Sequence, residues 1–424
     1  MGNKKLLFNI YTLGCKVNQC DSAEISRSLR GAGFKVVEKN AAWAIVNSCA
    51  VTATAIRKTR QMIAKARREN PEAKIVLSGC WPSAYWSEAK KNSSCAYFFK
   101  VNERKKIVNL IVGSQGQTKL EPTACACLIG QKIRYFLKVQ DGCQQFCTYC
   151  LVPYVRSRLW SKPIKQAVLE VKSALQAGAK EIVISGTHLG WYGKDKKDKK
   201  HNTQNLTALV KAILAVPGLP RLRLSSLEPN EVSDELLDLV KKNHNFCPFF
   251  HLPLQAGSDR VLKAMGRPYS AQEYIRVISR IRKKIPLAAV SADIIVGFPG
   301  ETEKDFTATL SLVKKIKFSR LHVFPFSTHE KTAASRFPEQ IDNREIKKRA
   351  DIIRRLGLAS AREYQNKFIN RSVQVLIEKK IAGAYIGKSE YYFNVPIKAK
   401  GNKLVKSGDL VIVPPRGIEP RFRE

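Results

Sequence analysis

The stretch Val139-Gln-Asp-Gly-Cys-Gln-Gln-Phe-Cys-Thr-Tyr-Cys150 places Cys143, Cys147 and Cys150 in a C-x3-C-x2-C spacing, just after an apolar run that begins at Ile133. Three thiolates this close can hold three irons of a 4Fe-4S cube and leave the fourth iron without a protein ligand. Such an open coordination position can chelate a small molecule. A structural zinc normally needs four ligands, and no fourth Cys or His is near in sequence, so the spacing favours iron–sulfur over zinc or inert thiols.

This cysteine stretch follows the first of six apolar, strand-like runs. The runs are Ile133–Val139, Glu181–Ser185, Arg221–Leu227, Phe249–Gln255, Ala288–Gly297 and Arg320–Phe326. Helix-period segments follow them near 164–177, 203–215, 232–242, 270–284, 302–317 and 342–368. Six β-α units predict a (β/α)6 partial barrel over residues 133–368, with its working face at the C-terminal ends of the strands.

Residues 1–118 alternate between strand and helix patterns and predict a second α/β domain with a parallel sheet. The predicted strands are Leu6–Leu13, Phe34–Val37, Trp43–Asn47 and Lys74–Ser78, and the predicted helices are Ser22–Gly31 and 53–70. Residues 119–132 lack clear periodicity and are predicted to be a linker. The fold class is therefore α/β for the first two domains.

The pattern changes from about residue 369. Short apolar runs at Val373–Ile377, Tyr391–Val395 and Leu410–Val413, broken by glycines, predict a small all-β barrel over 369–414. Residues 415–424 are expected to form a disordered tail.

The composition points to a polyanionic partner. The 424 residues include 74 Lys plus Arg against 35 Asp plus Glu, which gives a formal charge of +39. This excess favours nucleic acid through counterion release, although a generally Lys-rich proteome is an alternative explanation. No apolar run reaches the roughly 18–20 residues of a membrane span, and the first residues lack a signal-peptide core. We expect a cytoplasmic protein, in which the 11 cysteines serve metal binding or catalysis rather than disulfides.

Three further cysteines follow strands of the first domain. Cys15, Cys49 and Cys80 each come just after a predicted strand, and the C-terminal ends of parallel strands meet at one sheet edge. Three thiolates there could hold a second 4Fe-4S cluster. Their spacing alone fits scattered buried thiols equally well.

The C-x3-C-x2-C spacing on a β-α barrel resembles the radical S-adenosylmethionine (SAM) superfamily. The resemblance implies that the open iron binds SAM, which is cleaved to a 5′-deoxyadenosyl radical, and that Tyr149 packs near the adenine. Four strand-end motifs look like one subgroup, the methylthiotransferases, which insert a CH3S group at an unactivated C–H position. These motifs are Ile184–Gly193, Leu224–Pro229, Phe250–Asp259 and Asp293–Glu301.

By this resemblance, five residues line the SAM pocket: Gly186, Thr187, Ser225, Glu228 and Gln255. Each alone fits a turn or a strand end, but together they occur in order on successive strand ends. The resemblance also implies that Cys15, Cys49 and Cys80 hold the second cluster. That cluster would present sulfur, methylated from a second SAM, to the carbon radical left after hydrogen abstraction.

The sequences around Cys15 and over Gly186–Gly193 look most like those of the subgroup that converts N6-threonylcarbamoyladenosine at position 37 of tRNA to its 2-methylthio form. The C-terminal module resembles the TRAM domain, a small RNA-binding barrel. The alternative is an all-β domain that only rigidifies the central barrel. The resemblance implies tRNA, through its anticodon loop, and an electron donor such as flavodoxin or ferredoxin as partners. We expect a monomer. Relatives that act on isopentenyladenosine of tRNA or on a ribosomal-protein aspartate share the cluster ligands and stay open, as does a non-catalytic iron–sulfur RNA-binding protein.

Several other residues have less definite predictions. Arg156 and Arg158 are expected to hold the anticodon stem, with a structural arginine as an equal alternative. His188 and His251 lie within strand-end motifs and are expected to border the site. The segment Ser327–Ala333 departs from the Pro/Arg/Gly-containing loop usual in the family, which puts the last barrel loop in doubt. The remaining cysteines match no ligand position and are predicted to be buried thiols: Cys20, Cys95, Cys125, Cys127 and Cys247.

Overall fold

The computed structural model describes residues 6–113, 133–195, 205–381, 384–397 and 406–414. The predicted linker 119–132 and tail 415–424 lie outside these ranges, as do Cys125, Cys127 and His201. The domain limits drawn from the sequence stay predictions.

Residues 7–113, called the N-terminal unit, form a five-stranded parallel sheet with helices. Its elements are β1 (Leu7–Thr12), α1 (Lys16–Gly31), β2 (Lys35–Val36), β3 (Trp43–Ser48), α2 (Ala53–Glu69), β4 (Lys74–Gly79), α3 (Cys80–Ala84), α4 (Trp86–Lys90), β5 (Tyr97–Phe98) and α5 (Arg104–Gly113). The strand order is β2-β1-β3-β4-β5, and every neighbouring pair is parallel. This confirms the predicted parallel α/β sheet.

The central strands of this sheet are buried on both faces. All six residues of β3 are buried, and apolar clusters cover the two sides of the sheet. Helix α1 begins at Lys16, six residues before the predicted start at Ser22. The first turns of α1 contain Asn18 and Asp21, which are polar but buried. Because a helix is recognised in sequence by buried apolar residues, these turns were not predicted as helical. Strand β5 and helix α5 were not among the predicted elements.

Residues 134–366, called the central unit, form the predicted partial barrel. Its elements are β6 (Arg134–Asp141), α6 (Val152–Val155), β7 (Trp160–Ser161), α7 (Ile164–Gln176), β8 (Glu181–Gly186), α8 (Leu206–Leu214), β9 (Leu222–Leu224), α9 (Asp234–Lys242), β10 (Phe249–His251), α10 (Asp259–Ala264), α11 (Ala271–Lys284), β11 (Ala289–Val296), α12 (Glu303–Ile316), β12 (Arg320–Pro325) and α13 (Asn343–Asn366).

Six parallel strands run in the order β6-β8-β9-β10-β11-β12. Backbone ladders join β6-β8-β9 and β10-β11-β12, and the parallel bridges Leu222–Phe246 and Ser226–His251 connect the two halves. The short β7 pairs antiparallel with β6. The (β/α)6 partial barrel predicted from the six β-α units is therefore confirmed.

The two faces of the barrel strands differ in chemistry. Along β11, Val290, Ala292, Ile294 and Val296 join the apolar core, whereas Asp293 alternates with them. The other strand faces carry many charges. Near the strand starts, the fully buried carboxylate of Glu181 accepts hydrogen bonds from Arg221 and Arg223, two guanidinium groups that are themselves buried. The alternation fixes which side chains face the helices and which face the inside.

Residues 373–413, called the C-terminal sheet, form four antiparallel strands in the order β15-β14-β13-β16. They are β13 (Val373–Ile381), β14 (Ala384–Ser389), β15 (Asn394–Ile397) and β16 (Leu410–Val413). The prediction of a strand over Tyr391–Val395 is wrong in its first half. Residues 391–393 lie between β14 and β15, where Tyr392 has a φ of 74°, a left-handed conformation that breaks an extended strand.

The C-terminal sheet is docked on the barrel through this turn. The guanidinium of Arg223 donates hydrogen bonds to the backbone carbonyls of Ser389 and Glu390, at 3.1 and 2.9 Å. The ring of Tyr392 lies 4.9 Å from the Arg223 guanidinium carbon and 4.5 Å from the ring of Phe249. Among the helices of the described ranges, none has the length and apolar character to cross a bilayer.

Candidate active site

Cys15, Cys49 and Cys80 lie at one edge of the N-terminal sheet. Cys49 and Cys80 directly follow β3 and β4, and Cys15 follows β1 by three residues. Gly14 has a φ of 97°, and a Cβ there would lie 2.9 Å from Cys49 Cβ and 3.1 Å from its Sγ. Only glycine therefore lets the first cysteine loop approach the second this closely.

The three thiols of this edge differ in exposure. Cys49 and Cys80 are buried, and Cys15 is exposed. The pKa of the Cys80 thiol is raised to about 12, chiefly by burial, with Arg156 opposing the rise and Cys49 and Cys15 adding to it. An iron–sulfur cluster bound here would replace the thiol protons, since thiolates are the ligands of such clusters.

The second trio occupies one loop after β6. The amide of Cys143 donates to the carbonyl of Arg156 at 3.0 Å, and the amide of Cys150 donates to the carbonyl of Cys147 at 2.9 Å. Gly142 has a φ of 87°, and a Cβ there would lie 2.1 Å from the carbonyl oxygen of Arg158, so this position requires glycine. The chain around Arg156–Arg158 therefore packs back against the start of the cysteine loop.

A cavity of about 320 Å³ lies where the central trio meets the N-terminal unit. Cys143, Cys147 and Cys150 line it from the central unit, and Val51 and Thr52, which follow Cys49, line it from the N-terminal unit. Beside the cavity, Cys80 and Trp81 share an apolar cluster with Leu151 and Val155, which follow Cys150. The structure therefore brings the two cysteine groups to the same interface.

The structure brings most of the predicted SAM residues to this cavity. Tyr149, Thr187, Glu228 and Gln255 lie on its wall. Gly186 and Ser225 do not, but Gly186 precedes the lining residue Thr187, and Ser225 precedes the lining residue Ser226. Gln255 has a φ of 67°, an unfavourable conformation for a residue with a side chain and one that often marks functional sites.

Arg267 connects several of these groups and was missed by the sequence analysis. Its guanidinium lies 3.2 Å from Cys147 Sγ and 3.3 Å from the Tyr149 hydroxyl, and it forms an ion pair with Glu228. Burial raises the pKa of Glu228, and Arg267 opposes that rise. A positive charge beside the thiolate and the carboxylate stabilises both in a cavity with little water. Arg267 lies in a Met-Gly-Arg-Pro sequence that is typical of an exposed turn, so nothing in the sequence indicates this role.

His188 borders the site, as predicted. Its Nδ1 lies 3.5 Å from Cys143 Sγ, and its Nε2 lies 2.7 Å from a carboxylate oxygen of Glu231. Burial disfavours its charged form, but the hydrogen bonds to Cys143 and Glu231 outweigh burial and raise its pKa to about 9. The contacts with Cys143 and Glu231 therefore favour the protonated imidazole.

Arg156 lies at the centre of a buried ion network between the two units. Its guanidinium contacts Asp21 at 2.6 Å and both oxygens of Asp141 at 2.9 and 3.0 Å. Lys138 pairs with the same two carboxylates. Burial alone would raise the pKa of Asp141, but Arg156 and Lys138 outweigh it and hold that pKa below its usual value. For Arg156 the structural alternative therefore applies, since its guanidinium is buried among these carboxylates. Arg158 is exposed.

Asn18 extends this network to the N-terminal cysteines. It accepts a hydrogen bond from Arg156 at 2.9 Å and donates to the carbonyls of Leu13 and Ser48, which precede the Cys15 and Cys49 loops. The thiol of Cys80 lies 3.9 Å from its side-chain oxygen. Because the Arg156 carbonyl also holds the amide of Cys143, one arginine links both cysteine groups.

The unusual segment Ser327–Ala333 forms a second link between the units. Ser327 Oγ accepts a hydrogen bond from the Ala53 amide at 3.0 Å. The buried His329 bonds to the Val51 carbonyl and the Tyr85 hydroxyl, each at 2.9 Å. The departure from the family pattern therefore produces a loop that holds the chain just after Cys49.

The donor sets fit iron–sulfur clusters, since each consists of three thiols, on three loops at one sheet edge in the N-terminal unit and on a single loop in the central unit. Residues 137–313 match the family model described as the Radical SAM superfamily, and residues 7–99 match the one described as Uncharacterized protein family UPF0004.

Full-length similarity decides the family. The chain is 38% identical over 394 residues to "Threonylcarbamoyladenosine tRNA methylthiotransferase MtaB" of Thermotoga maritima, covering 90% of this chain and 89% of that protein. The chain belongs to the radical SAM methylthiotransferases. It is 30% identical to the protein of the same name from Bacillus subtilis, with 93% and 91% covered. It is 33% identical to "tRNA-2-methylthio-N(6)-dimethylallyladenosine synthase" of Lawsonia intracellularis, with 88% and 87% covered.

Among solved structures, the radical S-adenosylmethionine methyltransferase TsrM from Kitasatospora setae matches with a TM-score of 0.59 at 14% identity, over 78% of this chain and 76% of that one. This likeness concerns the fold. As a family member, the methylthiotransferase uses 4Fe-4S clusters and SAM, in agreement with the predicted cofactors. Which residues hold them remains a proposal, and we assign the two cysteine trios on the geometry above.

Exchange of one cysteine in each trio should separate the two clusters. We expect Cys49→Ser and Cys147→Ser each to lower the iron content of anaerobically reconstituted protein from about eight to about four atoms per chain, because each variant loses one cube. The measurement is iron and sulfide analysis. Cys95→Ala is the matched control, a buried cysteine of the N-terminal unit outside both trios, and should keep all the iron. Full iron in Cys49→Ser would contradict the assignment.

Arg156→Lys should uncouple the two cysteine groups. Lysine keeps the charge but cannot contact Asp21, Asp141 and Asn18 together. We expect both clusters to assemble, with a higher ratio of 5′-deoxyadenosine to methylthiolated product than in the wild type. Arg156→Met should instead destabilise the protein by about 3–5 kcal/mol, because it leaves buried carboxylates underpaired.

Arg104→Lys is the control for this prediction. Arg104 also pairs with Asp21, at 3.3 Å, and is not in contact with Asp141 or Asn18. An unchanged product ratio in Arg156→Lys, or an equal change in Arg104→Lys, would contradict the positioning role.

Proposed function

We propose that this methylthiotransferase converts N6-threonylcarbamoyladenosine at position 37 of tRNA to its 2-methylthio derivative. The observation that carries the proposal is the similarity over almost the whole chain, at 38% identity, to a protein named for this substrate. Relatives named for dimethylallyladenosine are less similar to this chain, at 30–33% identity. This difference favours the threonylcarbamoyl substrate. A tRNA substrate also supports the predicted cytoplasmic location.

When bound, the clusters and SAM supply the reductive cleavage and the sulfur that this reaction needs. The chain's own residues supply position and charge. Tyr149 and Gln255 shape the cavity wall, and the Arg267–Glu228 pair provides a fixed donor and acceptor within it. Leu151, Ile295, Phe324 and Phe326 line the same cavity and limit water there.

A separate cleft between the two units supports binding of the RNA backbone. It has a volume of about 740 Å³ and runs beside α1, β6 and β7. Most of its charged groups already pair with each other, such as Lys162 with Glu170 and Arg104 with Glu24. Lys105 and Arg158 line it and take part in no ion pair within the described residues. They leave the cleft with available positive charge, which attracts phosphates.

Exposed aromatic rings stand at the edge of this cleft. Trp160 is 37% exposed and Tyr154 is 43% exposed, and both line it. Tyr154 packs edge to face against the exposed ring of Phe146, which lies between two cysteines of the central trio. Exposed aromatic rings beside free cations suit single-stranded RNA, whose bases stack on them. We propose that the anticodon loop reaches the cavity along this cleft.

Nucleoside mass spectrometry tests the substrate. We expect 2-methylthio-threonylcarbamoyladenosine to appear in tRNA when the chain is expressed in a bacterial strain that lacks this modification, because the chain supplies the missing enzyme. Cys147→Ala is the inactive control. Methylthiolation of dimethylallyladenosine or of a ribosomal protein instead would refute the substrate assignment, and absence of any methylthiolated product would refute the function.

Exchange of the free cleft residues should weaken tRNA binding while SAM cleavage continues. We expect Trp160→Ala to cost about 1–3 kcal/mol of binding free energy through lost stacking. Arg158→Ala should reduce the slope of log binding constant against log salt concentration by about one. Binding is measured by fluorescence anisotropy at several salt concentrations, and 5′-deoxyadenosine is measured without tRNA.

Lys242→Ala serves as the control for these variants, since Lys242 is an exposed cation on α9 that does not line the cleft. Equal affinity of the wild type and Trp160→Ala for tRNA would eliminate the cleft as the RNA path without affecting the substrate assignment.

A further inference from the structure

We propose that His251, Asp293 and His322 form a binding site for a first-row divalent cation inside the barrel, separate from both cysteine trios. Two imidazoles and one carboxylate are a ligand set that suits Fe²⁺, Mn²⁺ or Zn²⁺. The inference does not depend on the proposed substrate.

The backbone register brings the three residues together. They lie on the neighbouring parallel strands β10, β11 and β12, where Asp293 stands opposite His322, and His251 stands opposite Ser291. His251 Nε2 is 3.2 Å and His322 Nδ1 is 3.0 Å from the same oxygen of Asp293. One ligand atom from each residue lies within 4.8 Å of the other two. Small side-chain adjustments therefore suffice to surround an ion at bonding distances of about 2.0–2.2 Å.

A second layer already orients one ligand. Ser291 Oγ lies 2.8 Å from His251 Nδ1, which directs Nε2 of that ring toward Asp293. Such partners on the far ring nitrogen are typical of metal-bound histidines. His322 has an enclosed Nε2 with no hydrogen-bond partner among the described residues. No hydrogen bond at Nε2 therefore opposes a small rotation of the His322 ring toward an ion.

The charges around the trio allow a cation. Arg320 precedes His322 by two residues, but its guanidinium carbon lies 5.8 Å from the centre of the Tyr392 ring, against which it packs. Nearer the strand starts, Arg221 and Arg223 pair with Glu181. The Asp293 carboxylate contributes negative charge to the trio, which favours binding of a divalent cation.

The trio opens toward the candidate active site. Asp293 lines the 320 Å³ cavity together with Gln255 and Glu228. Three protein ligands leave coordination positions for water or for an oxygen of a ligand. The side chains of Asp293 and His322 are 25% and 36% exposed, so solvent can reach the ion from that side.

Binding of Mn²⁺ to the reconstituted holoprotein tests the site. Room-temperature EPR of free Mn²⁺ gives the bound fraction, because oxidised 4Fe-4S clusters contribute no signal there. We expect one Mn²⁺ per chain beyond the cluster iron. His322→Gln and His251→Gln should abolish this binding, and Ser291→Ala should weaken it about 10–100-fold by releasing the His251 ring.

His244→Gln is the matched control, an exposed histidine on another part of the barrel, and should bind like the wild type. Iron content and thermal unfolding check that each variant folds. Should His322→Gln not fold, pulsed EPR on the wild type decides, since bound Mn²⁺ must show coupling to imidazole nitrogen. Absence of saturable Mn²⁺ binding, absence of nitrogen coupling, or equal binding by folded His322→Gln overturns the proposal.

Discussion

The arrangement of the molecule depends on the buried ion network around Arg156. Its guanidinium joins Asp21 and Asn18 of the N-terminal unit to Asp141 of the central unit, and its backbone carbonyl holds the amide of Cys143. Buried ion pairs add little net stability, because desolvation offsets their attraction. Their geometry is nevertheless specific, since a misplaced partner would leave a bare charge in the interior. The network therefore fixes how the two sheets meet more than how strongly they adhere.

Two of the contacts between these units have complementary roles. The Arg156 network holds the start of α1, beside Cys15 and Cys80, whereas Ser327 and His329 hold the segment after Cys49. Each cysteine loop of the N-terminal unit is thus restrained from the central unit. The cavity lined by the central trio and by Val51 and Thr52 is consequently a property of the assembled chain, and neither unit contains it alone.

The central strands of the two parallel α/β units were predicted because apolar runs are strong local signals. The C-x3-C-x2-C spacing is equally local, whereas the grouping of Cys15, Cys49 and Cys80 came from the family resemblance. Apolar runs such as that of β3 and the short spacing of Cys143 to Cys150 need no tertiary knowledge. Asn18, Asp21 and Arg267 escaped because pattern reading assigns polar residues to the surface, whereas their partners come from distant strands and loops. The turn at Tyr392 was mistaken for a strand because its aromatic run has high β propensity, which the left-handed backbone overrides.

The two cysteine groups differ in how much folding they require. Cys143, Cys147 and Cys150 share one short loop, so even an extended chain keeps their sulfurs near one another. Cys15, Cys49 and Cys80 come from three loops and meet only after β1, β3 and β4 have paired. On the ligand assignment proposed above, the Cys143–Cys150 loop can therefore chelate iron before the tertiary fold is complete, whereas the N-terminal trio becomes a chelator only once its sheet has formed.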